Sequence, residues 1–555
     1  MNRPTVPRAR RTVSVWVQGS ALGFALTLSA ALSAQAPTPP VPSFADLEAT
    51  GARVGEIRVL NNNVFDTEDP KENKLLFRWA NALHIRTRPG VIDRALLFKT
   101  GDPLSVRLID ETERVLRSSR YLYDVQIRPV AYHDGVVDIE VATRDTWSLD
   151  PGVSVGRSGG ANSSGIHLKE YNLLGTGTAV SIDRSTSVDR SSNEFKFAND
   201  RAFGTWMSLS YAHASNSDGR TDAVSVARPF YALDERWAAG MKASKDDRID
   251  AVYNAGNVVS QYRHRQSLAE VFGGWSQGLV GGWVQRYSLG VGLQDDAYSP
   301  QPGLTAPAQL PLDEKLVAPF VRVELIEDRF EKLLNRNLIG RPEFFALGLA
   351  STVQLGWAST GLGSSHDGLL YSGTVSRGFE PTADDILTVA ATVSGQYANG
   401  QVRRQRLSAQ ARYYLPQGKR WLFYAAASGD MVTRPNLDEV LLLGGDNGLR
   451  GYPLRYQSGD RRALFTLEER FYTDLYVLRL FRVGGAAFFD VGRAWGGSTA
   501  DSADPRWLSN AGFGLRIVSV RAAFGNVLHV DVALPLNPPA GVKKVQFLVK
   551  TKVSF

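Results

Sequence analysis

Phe547-Leu548-Val549-Lys550-Thr551-Lys552-Val553-Ser554-Phe555 alternates with a period of two. Side chains of a strand point by turns to opposite faces. Phe547, Val549, Thr551, Val553 and Phe555 therefore share one face, and Leu548, Lys550, Lys552 and Ser554 the other. The same pattern recurs upstream. Tyr287, Leu289, Val291 and Leu293 oppose Arg286, Ser288, Gly290 and Gly292. Leu387, Val389, Ala391 and Val393 repeat it, as do Leu407, Ala409, Ala411 and Tyr413 against Ser408, Gln410 and Arg412. From Trp147 to the end the alternation continues, broken by glycine and polar turns. An apolar face backed by a polar one is what a lipid-facing barrel wall around a wet interior needs. A soluble sandwich or propeller competes with this reading, but no blade-length repeat is present. The fold class is mainly β, with an antiparallel transmembrane β-barrel over 147–555.

Composition agrees with many strands and tight turns. Of 555 residues, 52 are glycine and 10% are aromatic, and the hydrophobic share of 43% is too low for a bundle of membrane helices. Beyond the N-terminus no run of about 18 apolar residues suggests a spanning helix. The chain has no cysteine, which excludes disulfides, thiol catalysis and cysteine-ligated metal. Its formal charge of +7 owes much to Arg3, Arg8, Arg10 and Arg11. Without residues 1–34 the balance is 59 basic against 56 acidic residues. Nothing in that balance points to nucleic acid.

Those arginines precede an apolar stretch from Val13 to Ala31 and then small residues, the layout of a secretory signal peptide over 1–34. Pro37, Pro39, Pro40 and Pro42 read as a stiff linker over 35–52, with no helix. Residues 53–145 read as a small α+β domain. Val54 to Leu60 is a strand, Val91 to Phe98 a helix, and Val106 to Ser119 an amphipathic helix capped by Ser105. Two strands, Tyr123 to Ala131 and Val136 to Thr143, flank the hairpin signal Asp134-Gly135. The order, with Leu-Phe-Lys-Thr-Gly-Asp-Pro-Leu (97–104) before the second helix, resembles a POTRA domain. The resemblance implies a periplasmic location and client binding by strand addition at a sheet edge.

Gly444-Gly445-Asp446-Asn447-Gly448-Leu449-Arg450-Gly451-Tyr452 is a glycine-rich loop carrying one arginine between two strand regions. If Phe465, Leu467 and Phe471 face lipid, Glu468 faces inward. If Ala487, Phe489 and Val491 face outward, Phe488 and Asp490 face inward. Two inward acids on adjacent strands are either solvated charges of the lumen or, being costly unpaired, a pair that a loop-borne arginine would satisfy.

Four features then coincide: Glu170 to Gly177 (EYNLLGTG), Leu449-Arg450-Gly451-Tyr452, Thr466-Leu467-Glu468, and Phe488-Phe489-Asp490-Val491-Gly492. With them the chain resembles the bacterial surface antigen family, the BamA/TamA-like outer-membrane assembly and translocation barrels. The resemblance covers about 53–555. It implies a loop folded back into the barrel, with Arg450, Gly451 and Tyr452 locked against Glu468, Phe488, Asp490 and Gly492. It also implies that Phe555, with Val553, marks the barrel for assembly. The family implies sixteen strands. Hairpins read from the sequence give about fifteen before the loop and five after it, or about twenty, with the surplus near 262–295 and 385–430.

Gly152-Val153-Ser154-Val155-Gly156 matches a nucleophile elbow, but it lies inside an alternating strand rather than at a strand–turn–helix junction. The seven histidines show no metal-ligand spacing, with His213 and His264 read as lumen or surface residues. The expectation is a non-enzymatic protein without cofactor or metal. It would insert or translocate client polypeptides at the bacterial outer membrane, with the membrane lipid and accessory periplasmic proteins as further partners. Dedicated secretion of a single client and a passive pore are the alternatives.

Overall fold

The computed structural model describes residues 41–497, 506–521, 526–536 and 538–552. The signal peptide, the first part of the linker, and Val553 and Phe555 lie outside the described residues.

Among the described residues, twenty strands close into one antiparallel barrel, from Leu149–Ser158 to Gln546–Lys552. Fifteen precede the glycine-rich loop and five follow it. The count taken from hairpins is therefore the one found, and the family figure of sixteen is corrected. The surplus regions form full ladders of their own. Asn257–Val280 pairs with Trp283–Pro300, and Gln401–Pro416 pairs with both Ile386–Ala398 and Trp421–Thr433. Each of these strands exceeds the roughly 9–11 residues needed to span a bilayer, so each is a wall element in its own right. Outward positions carry the apolar residues: Leu289, Phe465, Leu467 and Phe489 are exposed. No described helix is long and apolar enough to cross a membrane.

The nucleophile-elbow match lies within strand Leu149–Ser158, with Val153 and Val155 exposed. No helix follows it, so the geometry that makes such a serine reactive is missing there.

The α+β domain has three strands, β1 (Arg53–Asn62), β2 (Leu122–His133) and β3 (Val136–Asp145), in the order β1-β3-β2. β3 is central, parallel to β1 and antiparallel to β2. Four helices accompany them: α1 (Phe44–Ala49), α2 (Leu75–Leu83), α3 (Pro89–Asp93) and α4 (Val106–Ser118). The core joins Ile109 and Leu116 of α4 to Val125, Val137, Ile139 and Val141 of the sheet.

Two expectations are corrected here. The linker is not unstructured throughout. Ser43 caps α1 by accepting the Asp46 N–H at 3.2 Å, and Leu47 is buried in the domain core. Six residues are too few for a periodicity to show in sequence. The helix expected over Val91–Phe98 stops at Asp93, because the chain turns to bury Ala95 and Phe98. The Leu97 N–H is satisfied outside a helix by the Thr112 hydroxyl at 3.2 Å.

The domain is tied to the barrel by polar contacts. Asn172, in the turn after the second barrel strand, donates to Thr87 Oγ1 at 2.8 Å. Thr87 donates in turn, from N and Oγ1, to the fully buried Asp145 at 2.7 and 2.9 Å. Gly175 of the same turn has φ +73°, and a Cβ there would overlap the Arg86 carbonyl, so glycine lets the two backbones meet. On the other side, Glu111 of α4 accepts the Leu233 N–H of a barrel turn at 2.8 Å. Burial pushes the Glu111 carboxyl up from its ordinary pKa.

Candidate functional site

The loop between strands Trp421–Thr433 and Arg461–Val477 runs back into the barrel. A short ladder, Leu441–Leu443 with Gln457–Gly459, stiffens its base. Leu443, Leu449, Tyr452 and Tyr456 pack with Ala494 and Leu508 of the wall. Burying these apolar side chains against the inner wall drives the loop inward.

At its tip Arg450 meets both acids. Its Nε and Nη2 donate to Asp490 Oδ2 and Oδ1 at 2.8 and 2.7 Å, and Nη1 donates to Glu468 Oε1 at 2.9 Å. A two-pronged contact of this kind needs the planar guanidinium. The same group lies 3.5 Å from the centroid of the Phe488 ring, so its flat face is covered as well. Asp490 is 0% exposed. It also accepts from Thr466 Oγ1 at 3.0 Å and Asn510 Nδ2 at 2.8 Å.

The neighbouring predicted positions have distinct parts. The Gly451 N–H donates to Asn510 Oδ1 at 3.0 Å. The Tyr452 hydroxyl donates to the Ser509 and Leu536 carbonyls at 3.1 and 3.3 Å. A Cβ on Gly492 would lie 3.2 Å from Leu443, so its absence lets the loop lie close to the wall.

Sequence reasoning missed several members of the network. Arg470 donates to Glu468 Oε2 at 2.9 Å, and Arg516 pairs with Asp531, itself 3.9 Å from Arg450. Three arginines thus face three carboxylates, all six side chains buried. Strand parity would have put Arg470, Arg516 and Asp531 inward, but not against this loop.

The loop also touches both sides of the barrel's closure. The Gly445 carbonyl accepts from Ser158 Oγ, at the end of the first strand, at 2.5 Å. It also accepts from Lys550 Nζ of the last strand at 3.2 Å, and Lys550 reaches the Asp446 carbonyl at 2.8 Å. Gly159 accepts the Leu454 N–H at 3.3 Å. Arg455 grips Asp189, in a distant hairpin turn, through Nη1 and Nη2 at 2.7 and 2.6 Å.

A second inward segment approaches from the end beside the α+β domain. The hairpin Phe330–Leu334 with Pro342–Ala346 carries Ile339 into a cluster with Tyr414, Leu422, Tyr472 and Val518 of the wall. Arg470 Nη1 donates to the Arg336 carbonyl at 3.0 Å, and Tyr414 donates to Asn337 Oδ1 at 3.0 Å. Glu343 holds the tip by accepting the backbone N–H groups of Arg336, Asn337 and Leu338 at 3.0–3.1 Å, and burial pushes its carboxyl up. A continuous chain of charge-assisted bonds therefore runs from Arg450 through Glu468 and Arg470 to this hairpin.

Elsewhere in the lumen, Asp250, His264 and Asp438 converge. Arg248 Nη2 lies 2.8 Å from His264 Nδ1, and Arg248 Nε donates to Asp250 Oδ1 at 2.8 Å. The guanidinium supplies the positive charge there, so the cluster reads as an ion network.

The Omp85 superfamily domain model matches residues 172–551, which include the loop, both acids and the closing strands. The chain belongs to the Omp85 superfamily. This is the wider group in which surface-antigen barrels of the BamA type fall. As an Omp85 barrel its place is the outer membrane. No curated protein sequence matches the chain. Solved structures to which it is similar include BamA from Haemophilus ducreyi lacking POTRA domains 1–3, at 13% identity and a TM-score of 0.38. That alignment covers 90% of this chain and 84% of the other. Similar too are CdiB from Acinetobacter baumannii (13% identity, 90% and 73% covered, TM-score 0.43) and CdiB from Escherichia coli (15%, 91% and 77%, 0.45).

Removing the guanidinium takes the cation from buried Asp490 and leaves Glu468 to Arg470, a loss of roughly 3–5 kcal/mol. Arg450→Ala is therefore expected to reach the membrane but to lose its heat-resistant compact form at a lower temperature, read as band shift on semi-native gels. Arg450→Lys, a point charge without the fork, should recover only part of the loss. Wild-type melting of Arg450→Ala would contradict the lock.

Proposed function

We propose that this Omp85 protein inserts polypeptides into the outer membrane or passes them across it, using the junction of its first and last barrel strands as the working edge. The bonding of that junction carries the reading. Among the described residues, Leu149–Ser158 and Gln546–Lys552 share one registered pair, Arg157 with Val549. On their other sides the same strands share ten and seven pairs. A lightly paired edge offers free N–H and C=O groups to an incoming strand. The loop supplies what the junction lacks, since the Gly445 carbonyl accepts from both sides of it. Release of the loop would then free the edge, and the Arg450 lock sets how readily that happens.

The α+β domain fits the part of a POTRA-like periplasmic domain. β2 lies at an edge of its sheet, with Gln126 exposed along it, and it would take a client by strand addition. We assign the protein no covalent chemistry and no cofactor. The free energy for transit would come from client folding and strand exchange. The inward loop and the inward hairpin together weigh against a passive pore, because both enter the lumen a solute would need. Whether clients stay in the membrane or leave the cell is a distinction the partners decide.

The chain lacks cysteine, so engineered disulfides are clean probes. Arg157→Cys with Val549→Cys should seal the junction on oxidation, abolish client assembly or secretion, and regain it with reductant. Full activity with the junction sealed would overturn the proposal.

A photocrosslinker at Gln126 tests the client directly. Capture of nascent barrel proteins is expected for insertion, and capture of one large secreted protein for dedicated secretion. A crosslinker that captures no polypeptide would remove the assigned role of β2.

A further inference from the structure

The α+β domain carries an apolar surface that its own core does not use. On α2, Phe77 faces inward and stacks on Phe65 with ring centroids 4.1 Å apart. Leu75, Leu76, Trp79 and Leu83 fall on a stripe of the same helix roughly opposite Phe77, and Ile85 follows it. All five are exposed, Leu76 at 67% and Leu83 at 73%. A helix of a small domain that leaves such a stripe in water is unusual, and contiguous exposed apolar surface marks a contact. The surrounding exposed charges are mostly basic: Lys71, Lys74, Arg78, Arg86 and Arg88.

What covers the stripe follows from where the helix is fastened. Phe77, Val64 and Phe65 pack with Trp147, which directly precedes the first barrel strand, and with Leu480, in the turn between Arg461–Val477 and Phe481–Trp495. Arg521, in the next turn of the wall, donates to the Val64 carbonyl at 3.2 Å and pairs with Glu72. Leu480 sits among Leu475, Val477, Leu478 and Phe481, which are themselves exposed, Leu478 at 68%. These lie where strand Arg461–Val477 ends and Phe481–Trp495 begins; on the first of the two, Phe471 lies beside Trp421 with ring centroids 4.5 Å apart and planes tilted by 42°. The α2 stripe and these exposed apolar residues are thus carried on elements packed against each other through Phe77 and Leu480. Leucine and tryptophan on one face, with lysine and arginine around it, suit the headgroup–acyl boundary. The cations add attraction to anionic lipid.

We propose that α2 is a membrane-interface anchor: its Leu75–Leu76–Trp79–Leu83 stripe lies in the inner face of the outer membrane, its occupant being phospholipid. The anchor would hold the α+β domain against the bilayer beside the barrel's closing strands, because Trp147 and Arg521 flank those strands in the wall. This goes beyond the assembly reading and does not depend on it, needing only that the barrel sits in a membrane.

The test uses the full-length chain in vesicles of phosphatidylethanolamine and phosphatidylglycerol. Single cysteines at Leu76, Trp79 or Arg78 carry an NBD label, on a chain with no other thiol. The labels at 76 and 79 are expected to shift to the blue and to be quenched by lipids bearing a doxyl group near the headgroup. The label at 78 is expected to be quenched by aqueous iodide instead. Iodide quenching at all three positions would overturn the anchor. So would blue-shifted labels at 76 and 79 that doxyl lipids do not quench, since that places the stripe under protein, such as residues preceding 41 or a partner.

Discussion

Asp490 and Glu468 sit on adjacent strands inside the barrel, removed from water, and the rest of the site depends on how their charge is met. A carboxylate without water or a cation in such a place would cost several kcal/mol. The wall itself supplies Arg470 to one side of Glu468 and Asn510 and Thr466 to Asp490. Only a group arriving from outside the wall can bridge the two acids at once. Arg450 does so, and its fork fixes the loop in direction as well as in place. Once Arg450 is fixed, Gly451 and Tyr452 find backbone and amide partners on the last strands, and Gly445 comes to rest between the two edges of the barrel.

On the reading proposed above, that arrangement gives a stiff wall a soft joint. Every other neighbour pair of the barrel is held by a ladder of its own, which makes local opening expensive. Between the first and last strands the described residues share one registered pair, Arg157 with Val549, and the Gly445 carbonyl of the loop accepts from both strands. The inward hairpin around Ile339 extends the same logic to the other end, since Arg470 ties its backbone to the acid that Arg450 holds. A change at the hairpin therefore has a physical route, through three charged side chains, to the loop that spans the joint.

Much of the wall was legible because alternation is a local property. Tyr287, Leu289 and Val291 declare a face without knowledge of their neighbours, and counting hairpins gave the strand number better than the family figure did. Alternation also put Glu468 and Asp490 on the inner face, which is where the structure has them. What was not legible depends on long-range placement. Arg455 and Asp189 meet although 266 residues separate them in sequence, and nothing near either residue marks the other. Ser158 and Lys550 come together only because the barrel closes. The short helix Phe44–Ala49 hid beside a proline-rich segment.

Arg450 and Asp490, bonded through both prongs of the guanidinium, should act as one unit that holds the loop in the barrel. A double-mutant cycle measures this most directly, with Arg450→Ala, Asp490→Ala and the pair compared by reversible denaturant unfolding of the chain in lipid vesicles. Strong coupling is expected, about 2 kcal/mol or more, with the pair less damaged than the sum of the single changes. Simple additivity of the two losses would contradict it.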